Sequence, residues 1–260
     1  MKNDRTLFKI RFFLRRIIHR KNYLRLKEIL YKNEDLRIMF KNSPKHFNDM
    51  LCRSYGATNF NSRTSFECFE RDINIITNKI PNILKCSKTL FKDENVYIYI
   101  STHPGVISEG LFNIHLCYKN VRLYTLCFVL LENALLITAL QGGINTKDEN
   151  KNFTKDYFGL RPLNFIIFFA FKFAEFLGFN EVCGVKDKYL VSGFKRNRIR
   201  DGKVYIIPNY DEIWQENTNI IKEYKSFYTL EYLQKDLEEI PSKKRSMYKK
   251  RYDFLKSIEL

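Results

Sequence analysis

Between residues 95 and 141 the chain runs through "NVYIYIS", "GLFNIHLCYK", "VRLYTLCFVLLEN" and "ALLITALQGG". Each run is rich in β-branched and aromatic residues, and "HPG", "KN" and "EN" separate them. Runs of this length between turn residues read as strands, so the segment predicts a four-stranded antiparallel meander over 95–141. A second constraint follows it. "LNFIIFFAFKFAEFLGF", Leu163 to Phe179, is the most apolar stretch, yet Lys172 and Glu175 interrupt it and it is short for a membrane span. It predicts a helix over 162–178 buried on most sides, with Pro162 in its first turn and Gly178 at its end.

The flanks differ in texture. Residues 5–90 are mostly helical in pattern, with "LRLKEILY", "HFNDMLCRSY" and "FECFERDINIITNKI" at helix-like spacing. After the buried helix come two strand-like runs, "NEVCGV" at 180–185 and "KVYIIP" at 203–208, and then a polar tail over 209–260 that reads as helical. No internal repeat or low-complexity segment interrupts this order. The fold class is α+β with a mainly antiparallel sheet: a helical section over 1–94, an α+β core over 95–208, and a helical C-terminal section over 209–260, packed as one domain.

The net charge is +16, and it sits at the ends. Residues 1–32 carry eleven Lys/Arg against Asp4 and Glu28, and residues 242–256 carry seven against Asp253. An end-weighted positive field suits an anionic ligand, an anionic membrane surface or nucleic acid, or simply keeps basic helices solvated. Nucleic acid is the weakest of these, because no helix-turn-helix, RNP-like or zinc motif is present. In "LFKIRFFLRRIIHRK", Arg11, Arg15 and Arg16 break every apolar run, so no signal-peptide core exists and a cytoplasmic protein is expected. Ile10, Phe13, Leu14 and Ile17 make one apolar stripe on a helix, which either packs on its own domain or lies on a membrane at the inner face of the cell.

Six cysteines form no CxxC pair and have no metal-ligand spacing with His19, His46, His103 or His115, so reduced thiols and no zinc site are expected. Cys117 and Cys127 lie in apolar strand runs, where a thiol acts as a small hydrophobe.

The order of antiparallel strands, long helix and strand resembles the core of the GCN5-related N-acetyltransferases. In that fold a loop leads into a helix whose N-terminus binds the cofactor pyrophosphate, because free N–H groups and the helix dipole favour an anion there. The resemblance implies an acyl-CoA cofactor and an acyltransferase activity. "FGLRP" stands at the corresponding turn. The family's Gln/Arg-x-x-Gly-x-Gly/Ala loop is absent, and about twenty residues separate Leu140 from the helix.

Four short motifs occur in a fixed order: "ITALQGG" (137–143), "FGLRP" (158–162), "NYDEIW" (209–214) and "LEEIPSKKRSMYKKRY" (237–252). Together they resemble the VirK/YbjX family of proteobacterial proteins, from roughly residue 10 to 257. That resemblance implies a bacterial factor linked to virulence, to responses to host or other bacteria, and to envelope properties such as resistance to cationic antimicrobial peptides. It brings no established reaction.

The candidate residues each carry two readings. Gln141, Gly142 and Gly143 either expose backbone N–H groups to a ligand or form a turn with φ > 0. Arg161, at the start of the buried helix, needs an anion nearby, either a phosphate or an internal carboxylate. Trp214, the only Trp, walls a pocket or anchors the core. Asp211 is a general base or a helix cap. His115 is the other acid–base candidate, on the opposite strand face from Ile114 and Leu116. In the tail, a helical wheel gathers Met247, Tyr248, Tyr252, Phe254, Leu255 and Ile258 on one arc, with Lys243, Arg245, Lys249, Lys250 and Lys256 outside it and Ser242 as N-cap. Lys244 and Arg251 fall within the apolar arc. A buried cation needs a partner: acidic side chains and helix-end carbonyls, or a bound anion.

Overall fold

The structure is a computed structural model that describes residues 13–102, 107–193, 199–200, 203–204 and 208–260. Helices α1 (Arg20–Lys32), α2 (Glu34–Asn42), α3 (Pro44–Cys52) and α4 (Ser62–Lys79) come first. Asn33 caps α2 by accepting from Leu36 N–H at 3.0 Å, and Asn61 caps α4 by accepting from Thr64 N–H at 2.9 Å. The meander follows as β2 (Val96–Thr102), β3 (Phe112–Tyr118), β4 (Val121–Leu130) and β5 (Ala134–Gly142), with β1 (Lys88–Lys92) added at its edge. Lys119 and Asn120 both have positive φ, 47° and 67°. That is the I′ geometry which lets a two-residue turn follow the strand twist.

Next come α5 (Lys147–Asp156), α6 (Pro162–Leu177) and β6 (Glu181–Val185). The last elements are a two-stranded ribbon of β7 (Ile199–Arg200) and β8 (Lys203–Val204), then α7 (Tyr210–Asn217), β9 (Thr218–Glu223), β10 (Phe227–Tyr232) and α8 (Ser242–Lys256). Among the described residues eight strands form one sheet in the order β1-β2-β3-β4-β5-β6-β10-β9. All neighbours pair antiparallel except β5 and β6, which pair parallel from Ala134–Glu181 to Ile137–Gly184. A parallel pair requires a long crossover, and α5 with α6 supply it.

Helix α6 earns its place by burial. Phe165, Ile166, Ile167, Phe169, Phe173 and Leu177 are buried on it, and each large apolar side chain contributes about 1.5–3 kcal/mol when removed from water. Phe173 meets Phe128 of β4 edge-on at 5.5 Å. Helix α4 also packs on β4 and touches α6, so both cover the same strand. Gly178, left-handed at φ 91°, ends α6. The core runs from Leu26 in α1 to Tyr252 and Leu255 in α8 without a break.

Two expectations change. The tail from 209 is not all helix, because β9 and β10 form a hairpin and β10 pairs with β6. Its residues are mostly half-exposed, so burial leaves only a faint period-2 pattern in "FYTLEY". Residues 147–156 form α5, where the crossover reads as loop. In the run 203–208, residues 203–204 are strand as expected, and 205–207 lie outside the described residues, as does His103.

The N-terminal stripe also differs. Residues 13–18 are helical, but Phe13, Leu14 and Ile17 point to solvent instead of packing on the domain; Ile10 lies outside the described residues. No described helix is long and apolar enough to cross a membrane.

Candidate functional site

The turn between α5 and α6 is built from "YFGLRP". Phe158 and Gly159 are both left-handed, with φ 55° and 74°. Gly159 N–H donates to Thr154 C=O at 2.7 Å and Leu160 N–H to Tyr157 C=O at 2.9 Å, which closes α5 and redirects the chain. A Cβ on Gly159 would lie 2.8 Å from Arg251 Nη2 and 3.3 Å from Met247 Cε. Glycine is therefore what lets α8 lie against this turn. Arg251 Nε and Nη2 donate to Phe158 C=O at 3.1 and 2.9 Å, and the guanidinium sits 4.0 Å from the Tyr248 ring centroid. So the partner of the inward-facing Arg251 is a backbone carbonyl together with an aromatic face.

Arg161 is the N-cap of α6 and Pro162 its first residue; the Arg161 side chain makes no cap bond. The first N–H groups of a helix have no intrahelical partner, and here Leu163 carries one at the wall of a cleft of about 840 Å³. Ligand sites commonly span roughly 300–1,000 Å³. Lys151, Lys155 and Arg161 bring three cations to the lining, while Tyr124, Phe158, Pro162, Leu163 and Met247 make its apolar wall. Among the described residues no carboxylate lines it. All three cations are exposed, and none is in an ion pair among the described residues. Lys243, Lys244 and Lys250 stand one helical turn from Met247 and are exposed.

The remaining candidates separate into two groups. Gly142 flanks the cleft, since a Cβ there would meet Tyr124 Cε1 at 3.8 Å. Gly142 and Gly143 do not need φ > 0, because the left-handed residue of this turn is Asn145 at φ 57°. Gly143 answers to space instead: a Cβ would lie 2.2 Å from the Arg122 carbonyl oxygen. Gln141 is exposed and pairs with Thr125, in a row Tyr99–His115–Thr125–Gln141 across four strands.

Trp214, Asp211, His115 and Lys244 do not line the cleft. Trp214 is fully buried, its Nε1–H donates to Val185 C=O at 2.8 Å, and it fills the space a Cβ on Gly184 would need, at 2.5–2.9 Å. It is a core anchor, not a pocket wall. Asp211 Oδ1 accepts from Asp187 N–H, and Asp187 Oδ1 accepts from Tyr210 N–H, both at 3.0 Å. That reciprocal pair ties α7 to the chain after β6, so Asp211 serves as a cap. His115 is buried with Nε2 2.9 Å from Ser101 Oγ and Nδ1 3.0 Å from Thr125 Oγ1, and it stacks on Tyr99 at 4.5 Å. Both ring nitrogens are engaged by neighbouring strands.

Lys244 is exposed, contrary to the helical wheel. It lies in the first turn of α8, ahead of Met247, where the docked face begins. Pro241, not Ser242, occupies the N-cap position, and no side chain caps the helix. Arg245 instead reaches back to Ile240 C=O at 2.9 Å and Glu238 C=O at 3.1 Å.

Cysteine chemistry has no foothold among the buried thiols. Burial pushes Cys68 and Cys183 up to about 12 and holds Cys127 well above its ordinary value. Cys117 and Cys127 are buried, as small hydrophobes in the strands.

Lys151 and Lys155 escape a reading of motifs because both ride on α5. The pattern Thr146-x-x-Glu149 is a capping-box signature that points to this helix.

A protein family described as "Protein of unknown function (DUF535)" matches residues 2–260. The chain belongs to that family. Among its relatives is the Escherichia coli "Uncharacterized protein YbjX", 29% identical over 140 residues, 52% of this chain and 42% of the relative. The VirK/YbjX resemblance of the ordered motifs is thereby borne out. Two Haemophilus influenzae proteins, each named "Uncharacterized protein", are also similar. One is 34% identical over 170 residues, 64% of this chain and 55% of the relative. The other is 28% identical over 277 residues, 97% of this chain and 92% of the relative. The chain thus spans little more than half the length of the first of these relatives. No solved structure matches.

Proposed function

We propose that this DUF535 protein is a VirK/YbjX-type factor that binds an amphiphilic anion in the cleft at the start of α6, and through it acts on the bacterial envelope in survival against host and antimicrobial peptides. The observation that carries the reading is the lining: three cations, a wall of apolar side chains and, among the described residues, no carboxylate. A phosphate or carboxylate head beside Lys151, Lys155 and Arg161, with a hydrocarbon body on Phe158, Leu163 and Met247, satisfies both halves. On this reading the protein works in the cytoplasm, at the inner face of the inner membrane.

Calorimetric titration with a short-chain phosphatidic acid, a long-chain acyl-CoA and inorganic phosphate tests it. The amphiphiles bind more tightly than inorganic phosphate, and Arg161→Gln weakens them about ten-fold, the loss of one charge-assisted hydrogen bond. A folded protein that takes up none of the three at millimolar concentration ends the proposal. The envelope role fails separately if a deletion strain keeps its ordinary sensitivity to cationic peptides.

A second reading, an acyltransferase using acyl-CoA on an acetyltransferase-like core, draws support from the parallel β5–β6 pair crossed by α6. Against it stands Tyr210. Pairing of β5 with β6 ends at Ile137, and beyond it the buried Tyr210 hydroxyl accepts from Leu140 N–H at 2.5 Å and donates to Leu140 C=O at 3.0 Å. Thiol release from acetyl-CoA in the presence of amine acceptors would favour the enzyme; a flat trace favours binding alone.

A further inference from the structure

The helical residues 13–18, just ahead of α1, are set on the protein inside out. The half-buried Arg16 lies 5.3 Å from the Tyr23 ring centroid and 5.7 Å from that of Phe47. Arg15 is half-buried too, and its charge acts on the Cys52 thiol of α3. The apolar residues turn away: Phe13 is 60% exposed, Leu14 50%, Ile17 58% and Ile18 73%. On α1 the same outward exposure continues at Leu24, 54%, and Tyr31, 82%. A helix packed on a water-soluble domain shows the opposite arrangement, apolar inward and charged outward. Arginine facing the domain and phenylalanine facing water is stable in use only if something other than water covers the outer face.

We infer that this face lies on an anionic bilayer surface. The charge decides among occupants. Residues 1–32 carry eleven Lys/Arg against two acidic residues, and exposed Arg20, Lys21 and Lys27 share the outer side of α1 with Leu24. A second copy would set this positive field against itself. A bilayer of anionic lipid offers negative headgroups at the level of the cations and an acyl boundary for Phe13, Ile17 and Ile18, the pairing that interfacial helices use. The inference does not rest on the cleft, whose described lining comes from β4, α5, the turn before α6, α6 and α8.

Vesicle flotation of the full chain tests it, with phosphatidylcholine alone and with phosphatidylcholine and phosphatidylglycerol in equal parts. The protein floats with the anionic vesicles, and added salt releases it. The double variant Phe13→Ser with Ile17→Ser keeps the wild-type unfolding midpoint, because both side chains are exposed, and loses roughly ten-fold in partitioning per side chain. Lys249→Ala, which removes an exposed cation on the back of α8, floats like the wild type. No flotation with anionic vesicles, or undiminished flotation of the double variant, overturns the inference. So does loss of flotation in Arg161→Gln alone, which would assign lipid binding to the cleft. Sedimentation without vesicles covers the remaining occupant: a dimer that the double variant abolishes would make the face a self-association surface.

Discussion

The Arg251 guanidinium donates twice to the Phe158 carbonyl, from Nε at 3.1 Å and from Nη2 at 2.9 Å. These two residues lie 93 positions apart, in the second and the last of the four ordered motifs: one in the turn before α6, one in the basic helix α8. The contact explains why both segments have the residues they do. Phe158 is held at positive φ, which aims its carbonyl at α8, and Gly159 leaves room for the guanidinium. Arg251→Ala removes a charged donor from a half-buried carbonyl and is expected to cost about 1–2 kcal/mol. Lys249→Ala, on the exposed back of α8, stays within about 0.5 kcal/mol of wild type. Urea unfolding of both variants measures this, and equal midpoints would remove the clamp from the account.

Gly159→Ala attacks the same contact from the other side. Its φ of 74° is one that L side chains rarely adopt, and the added Cβ meets Arg251 at 2.8 Å. The expected loss is about 1–3 kcal/mol. The change also displaces the turn that carries Arg161, so affinity for an amphiphilic anion falls along with stability, whereas Arg161→Gln lowers affinity alone. Unfolding midpoints and calorimetric titration on the two variants separate these outcomes.

How far the chain could be read in advance follows from how each element is stabilised. Helix α6 and strands β3 to β5 are legible because burial fills most of their length and their apolar runs are long, and β2 because its burial alternates with period two. Helix α5 buries one side chain, Phe153, and β9 is exposed along most of its length, so neither leaves a strong period. The cleft was half visible: Arg161 stands out by its place before a buried helix, but Lys151 and Lys155 sit on the helix that pattern alone hides. Trp214 and Asp211 show the reverse case. Their residue types suggest chemistry, and only tertiary contacts with Gly184 and Asp187 reveal them as packing and capping. The wheel of α8 holds for Tyr252, Leu255 and Ile258, all buried, and fails at Lys244, because a wheel knows the angle of a side chain and not where along the axis docking begins.

Asp72 makes stability depend on pH in a stated direction. It is fully buried on α4, where its Oδ1 accepts from Leu130 N–H at 2.6 Å and its Oδ2 accepts from the Tyr55 hydroxyl. Burial outweighs these bonds and the nearby Arg71, and raises the carboxyl from 3.8 to about 8. A folded-state value above the unfolded one means that the folded protein holds the proton longer. The contribution is therefore complete below about pH 4 and is lost as pH rises towards about 8, by at most about 1.4 kcal/mol per pH unit. Asp72→Asn has no proton to lose. The difference in unfolding free energy between wild type and Asp72→Asn should move in favour of the variant across that window and level off above it. A difference that is constant from pH 5 to 8, taken roughly as the span of the linkage, would show that Asp72 is ionised in the fold.

Tyr210 offers the sharpest test between the two functional readings. Its hydroxyl satisfies both backbone groups of Leu140 at the point where β5 runs past its pairing with β6. Tyr210→Phe keeps the ring, which packs edge-on to Trp214 at 5.8 Å, and deletes only the bonds. Two buried backbone groups left without a partner cost about 1–3 kcal/mol each at most, less if water enters. Trp214, the only Trp, reports on this core directly through its fluorescence. If β5 is a site for an acyl-CoA chain that Tyr210 now fills, the variant loses stability but gains acyl-CoA affinity, because the freed Leu140 groups can pair with an extended ligand as a strand would. If the cleft at α6 is the binding site, Tyr210→Phe loses the same stability and binds the amphiphile as wild type does, since Tyr210 reaches β5 from the start of α7 and is not among the residues described in the cleft lining. Calorimetry on this one variant, with the unfolding midpoint as control, tells the readings apart.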